Sequence, residues 1–128
     1  MPLPPQLETE IEVLRDEGQA VEVIEDGSRY YVVLKNFVLP PTYTPTKVDV
    51  MIMPDYQYPQ SRLDMYWTDP EVRLFATGNL PQSADQFEGP FGGRKWQRWS
   101  WHYETWDPRC HNVKSHLEVF NDRLSRGN

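Results

Sequence analysis

Thiols are nearly absent from this sequence: its 128 residues include one cysteine, Cys110, so no internal disulfide can form. Missing too is any apolar run long enough to span a bilayer. The N-terminal stretch MPLPPQLETE does not have the charged-then-apolar order of a signal peptide. These absences together point to a soluble cytoplasmic protein. Basic residues are in deficit, with 13 Lys and Arg against 19 Asp and Glu and a formal charge of −6. That balance argues against nucleic acid as the main partner, because phosphate-backbone binding needs a basic footprint. There is no phosphate-cradling glycine loop, no Ser-His-Asp order, no nucleotide motif and no internal repeat. Asp49, Asp55, Asp64 and Asp69 fall around turns without converging as a glycosidase pair would, so turn and cap roles are expected of them.

What the chain does hold is rings and prolines. Aromatic residues make up 13% of it, with five tryptophans, and there are 12 scattered prolines. Large rings can then fill much of one core, with short elements joined by extended connections. The length predicts a single domain over residues 1–128, with 1–5 as an extended lead-in.

Residues 6–17 read as a helix, with Leu7, Ile11 and Leu14 on one face and Gly18 as the stop. Residues 21–25 alternate as a strand. Asp26-Gly27 marks a tight turn into a β-rich run over 29–39, the clearest hairpin signal in the chain. Pro40-Pro41 ends that run. Val48, Val50 and Ile52 alternate over 47–53 as a third strand with one buried face, and 63–67 reads as a short fourth. Residues 78–95 are rich in Gly, Pro, Ser, Asp and Gln and are expected to form a long loop. Trp96, Trp99 and Trp101 then suit a half-buried strand or extended segment. Asp107 as N-cap and Pro108 at the first helical position predict a final helix from 108 to the C-terminus. Its stripe is Cys110, Val113, Leu117, Phe120 and Leu124, with Gly127 as the stop. The fold class is therefore α+β: N-terminal helix, four-stranded antiparallel meander, long irregular segment, C-terminal helix.

That order, with Tyr58-Pro59 between the third and fourth strands and Trp106-Asp107-Pro108 before the last helix, resembles the ubiquitin-conjugating (E2, UBC-like) fold. The segment Trp96-Gln97-Arg98-Trp99-Ser100-Trp101-His102 is similar to the W-x-R-W-S-x-H run of a bacterial E2-like family, prokaryotic E2 family E. The resemblance covers residues 30–124. It implies a role in a bacterial ubiquitin-like modification pathway, with a ubiquitin-like protein and an E1-like activating enzyme as partners. The departures are specific. E2 enzymes carry the thioester cysteine shortly before W-x-P, after an HPN tripeptide. Here Arg98, Trp99 and Ser100 occupy that stretch, and Cys110 lies beyond it. The resemblance thus implies an E2-like scaffold that binds the ubiquitin-like protein and the activating enzyme. The alternatives are an active enzyme with the thioester on Cys110, and an unrelated α+β interaction module.

The candidate catalytic residues are Cys110, His111 and His102. A thiolate is the nucleophile of thioester transfer, and a helix N-terminus, Arg109 and His111 would each assist Cys110. Its place on the apolar stripe equally fits a small core residue. His102 is either an imidazole packed among indoles or the group that orients a ubiquitin-like tail or serves as general base for a lysine. Trp96, Trp99, Trp101 and Trp106 are expected mainly to pack, with one or two exposed as anchors. With Phe87 and Phe91 of the long loop they make up the expected partner-binding face. His102, His111, His116 and Cys110 lack the paired spacing of a zinc site, so no metal or cofactor is expected.

Overall fold

A computed structural model describes residues 3–27, 29–101 and 106–126. Helix α1 (Pro5–Asp16) buries Leu7, Ile11 and Leu14 on one face. It stops where Gly18 takes φ +95°, a conformation cheap only for glycine. Strands β1 (Val21–Asp26) and β2 (Arg29–Val38) pair antiparallel with Asp26 opposite Arg29, so the expected hairpin is present. After β3 (Tyr43–Thr44), strand β4 (Lys47–Ile52) returns beside β2.

The mixed α+β class stands, but the sheet is larger than the expected four-stranded meander. Next in the chain are β5 (Tyr66–Asp69), β6 (Arg73–Leu74), β7 (Gln86–Phe91), β8 (Arg94–Trp99) and helix α2 (Val113–Arg126). Six strands form one sheet in the order β1-β2-β4-β5-β8-β7, and β3 pairs with β6 separately. The long loop expected over 78–95 is overturned from Gln86 onward by the β7–β8 hairpin. Gly89 and Pro90 concealed it. They sit on the terminal strand at a register shift between Glu88 and Phe91, where a missing N–H and an unusual backbone are tolerated. The tryptophan segment supplies the partner strand β8. The fourth strand starts three residues later than expected, because Met65 adopts φ +61°, outside the extended region of a regular strand.

The last helix also begins late. Residues 108–110 form a turn, and Asn112 rather than Asp107 caps α2: the Ser115 N–H donates to Asn112 Oδ1 and the Asn112 N–H to Ser115 Oγ, each at 2.8 Å. This reciprocal pair satisfies donors that a helix start leaves unpaired. The expected stop at Gly127 lies outside the described residues.

Each face of the sheet has its own apolar cluster. The inner one packs α1 and α2 against Val32, Val50, Tyr66 and Trp99, with Phe120 of α2 set edge-on to Trp99 at 5.6 Å. The outer one gathers Tyr31, Val33, Met51, Trp67 and Trp96, and among the described residues none of its members comes from a helix. The tip of the β7–β8 hairpin covers it instead. Phe91 lies 5.5 Å from the Tyr31 ring, and a Cβ on Gly92 would stand 2.7 Å from Ile24 Cδ1. The sheet is thus curled, bringing its last hairpin back over its first strands. Buried Gln97 pins the chain on both sides of β6. Its Oε1 accepts from the Val72 N–H at 2.7 Å, and its amide donates to the Val72 and Ala84 carbonyls at 3.0 and 2.9 Å.

Candidate functional site

The turn that leaves β4 is built first. The Asp55 carboxylate accepts the Gln57 N–H and the Ser61 hydroxyl, an arrangement Asp offers its own backbone two residues on. This presents Tyr58 inward and Pro59 outward. The Tyr58 hydroxyl donates to Glu10 Oε1 at 2.6 Å. The Val113 N–H, first in α2, reaches the same carboxylate oxygen at 2.9 Å. One carboxylate on α1 therefore ties the turn to the N-terminus of α2, where negative charge is favoured. On the other side the Trp106 indole donates to the Pro59 carbonyl at 2.8 Å.

Trp106 leads into the turn that carries Cys110. The Asp107 carbonyl accepts the N–H groups of Cys110 and His111 at 3.1 and 2.7 Å. The Arg109 guanidinium and its backbone N–H hold the Asp107 carboxyl below its ordinary range, and the Cys110 side chain adds a further hydrogen bond to it. Cys110 is exposed. The core reading fails because the helix starts at Val113, so the stripe of buried residues begins there and Cys110 falls on the preceding turn. The same late start withdraws the helix-end position expected for its thiolate. His111 Nδ1 accepts the Asp107 N–H at 2.8 Å, so a neutral ring carries its proton on Nε2. Held this way the imidazole is a donor, and to act as a base through Nδ1 it must release Asp107.

The other expected residues fall in different places. His102 lies outside the described residues. Trp96 is buried in the outer cluster and Trp99 in the inner one. Their indoles donate inward, to the Phe91 carbonyl at 2.9 Å and Thr68 Oγ1 at 2.8 Å, so neither ring is presented to a partner. Trp101 is also buried, while Trp106, Phe87 and Phe91 are half-buried. The expected partner face is therefore reduced to these last three, and they do not form one patch: Trp106 packs with Tyr58 and His111, whereas Phe91 packs on Tyr31. His116 is a core residue, 1% exposed. Its Nε2–H donates to the Met65 carbonyl at 3.0 Å, its ring stacks 4.1 Å from Tyr66, and burial lowers its pKa to about 4. Among the described residues no group of three or more His, Cys, Asp and Glu is placed to hold a metal ion.

Glu10 and Asp107 are the organising groups that sequence reasoning missed in these roles. Asp107 carried a local signal, since Asp-Pro-Arg invites a side chain to bond backbone two residues on. Glu10 carried none, because its partners lie 48 and 103 residues away.

Among known proteins, one family model matches, described as prokaryotic E2 family E, and it spans residues 6–127. No curated protein and no solved structure matches the chain.

Proposed function

The chain belongs to prokaryotic E2 family E, and from that premise we propose that it acts in a bacterial ubiquitin-like modification pathway as a cysteine-displaced scaffold. In this reading it binds the ubiquitin-like protein and the E1-like activating enzyme without carrying the thioester. The observation that supports it is the state of the stretch where an E2 would present its cysteine. Arg98 and Trp99 are in β8, Trp99 is fully buried, and the Ser100 N–H is bonded to the Ser83 carbonyl. That stretch offers no nucleophilic thiol. The docking surface on this reading is the turn around Trp106, where α1, the Tyr58-Pro59 turn and α2 meet. Family membership leaves no room for the unrelated interaction module.

A second reading rests on the exposure of Cys110. An exposed thiol beside His111 can attack the activated C-terminal carbonyl of a ubiquitin-like protein, expel its activating group and hold the chain as a thioester. A lysine amine would then displace the thiolate. One experiment separates the two. The protein is incubated with ATP, a ubiquitin-like protein and an E1-like activating enzyme, then run with and without reductant. The scaffold reading expects association with either partner and no reductant-sensitive adduct. An adduct that disappears in Cys110→Ala transfers the function to the second reading, and association with neither partner overturns both.

A further inference from the structure

The outer face of the sheet holds a cavity of about 400 Å³, within the size range of ligand sites. It is an open groove remote in chemistry from the Cys110 turn. Trp67, Phe91 and Met53 give it apolar walls, and the guanidiniums of Arg29, Arg62 and Arg98 stand around it. Three carboxylates, Asp55, Asp64 and Glu88, also reach it, so formal charge alone selects nothing.

Hydrogen-bonding capacity does select. Glu88 has both oxygens engaged inside the fold: Oε1 accepts the Trp67 indole N–H at 2.7 Å and Oε2 accepts Arg98 at 3.2 Å. Asp55 spends its Oδ1 on Gln57 and Ser61. Arg98 spends one N–H on Glu88 and another on Ser100 Oγ, and a guanidinium carries five. The Arg29 backbone pairs with Asp26 and bridges to Asp55, while its exposed guanidinium makes no ion pair or side-chain hydrogen bond among the described residues. Arg29 and the remaining N–H groups of Arg98 are therefore donors that these contacts do not spend, set beside an indole and a phenyl ring. One bank is β7, the last strand of the sheet, whose outward backbone edge suits an extended chain.

We propose that this groove binds an extended acidic peptide segment, with carboxylates received by Arg29 and Arg98 and an adjoining apolar side chain packed against Trp67 and Phe91. This does not rest on the scaffold reading and predicts binding by the isolated protein. The probe is a fluorescein-labelled, C-terminally amidated peptide, Glu-Phe-Asp-Leu-Glu-Phe-Asp, titrated with the full chain by fluorescence anisotropy. Its comparison peptides replace the acids by Gln and Asn, or by Lys. The acidic peptide is expected to saturate and to bind about tenfold or more tightly than either comparison, as charge-assisted hydrogen bonds require. Arg29→Gln, which leaves the backbone pairing of the hairpin in place and removes only an exposed guanidinium, is expected to weaken it several-fold. Arg98→Gln combined with Glu88→Gln, which leaves no buried charge unpaired, should weaken it further while thermal unfolding stays cooperative. The proposal is overturned if the acidic peptide does not saturate by roughly 1 mM, the weak limit of useful recognition. Equal binding of the neutral or Lys peptide overturns it, as does indifference to Arg29→Gln.

Discussion

Protonation of His116 should be the main acid sensitivity of this fold between neutrality and pH 4. The ring is 1% exposed, stacked on Tyr66, and spends its Nε2–H on the Met65 carbonyl. Burial lowers its pKa from 6.5 to about 4; the Met65 hydrogen bond and the Asp64 charge oppose this only in part. In the unfolded chain the same ring titrates near 6.5. Above 6.5 both states hold it neutral, and its contribution to folding does not vary. As pH falls from 6.5 to about 4 the unfolded chain takes up a proton that the folded protein refuses, so stability falls throughout that window. At about 1.4 kcal/mol per pH unit the loss approaches 3 kcal/mol by pH 4, a large share of a small domain's stability. The carboxyls of Asp49 and Asp107 lie below their ordinary 3.8, so their contributions are lost only at still lower pH. The assay is urea unfolding at intervals from pH 7.5 to 4. His116→Gln retains a donor for Met65 without a titrating ring, and subtracting its pH profile removes the other histidines. The variant should be less stable than wild type at pH 7.5 and should lose about 3 kcal/mol less on acidification. Parallel profiles for the two proteins would refute the reasoning.

Three further outcomes are expected. Gly89→Ala should destabilise the protein by about 2–3 kcal/mol in chemical unfolding, because φ is +139° and the new Cβ would stand 2.9 Å from the Arg94 carbonyl oxygen, a backbone atom. Gln97→Leu should cost about 3 kcal/mol or more, since it removes the amide that bonds the Val72 N–H and the Val72 and Ala84 carbonyls; thermal unfolding measures it, and a change within 0.5 kcal/mol would refute the role. Cys110 should react with iodoacetamide in the native protein without prior denaturation, because its side chain is exposed; labelling seen only after denaturation would contradict the turn that carries it.

Legibility in the sequence followed the range of the interactions. Leu7, Ile11 and Leu14 announce α1, and Asp26-Gly27 announces the first hairpin, because periodicity and turn chemistry act over a few residues. The β7–β8 hairpin was illegible for the opposite reason. Its partners are adjacent in sequence, but Gly89 and Pro90 erase the strand pattern, and what holds them is the pairing itself. The N-terminus of α2 was misplaced because Asp107-Pro108 is a good start signal that lost to a better one, the reciprocal Asn112–Ser115 cap. Cys110 moved from helix face to turn by that shift alone. The tryptophans of β8 were visible as a motif, yet which face each would occupy depended on the register of β8 between β5 and β7, and no local pattern encodes that.

Met65 joins the two faces on which the functional readings rest. Its N–H donates to the Trp101 carbonyl and its own carbonyl accepts His116, so its backbone belongs to the inner core under α2. Its side chain lines the outer groove. The φ of +61° that interrupts the strand here is what allows one residue to serve both, and such conformations persist only where surrounding contacts over-determine them. Asp64, beside it, also lines the groove while its charge acts on His116. The Arg29 and Arg98 substitutions leave Met65 and α2 untouched, whereas Cys110→Ala leaves the groove untouched. A failure of peptide binding and a failure of partner association would therefore be separate results, each bearing on its own face of the sheet.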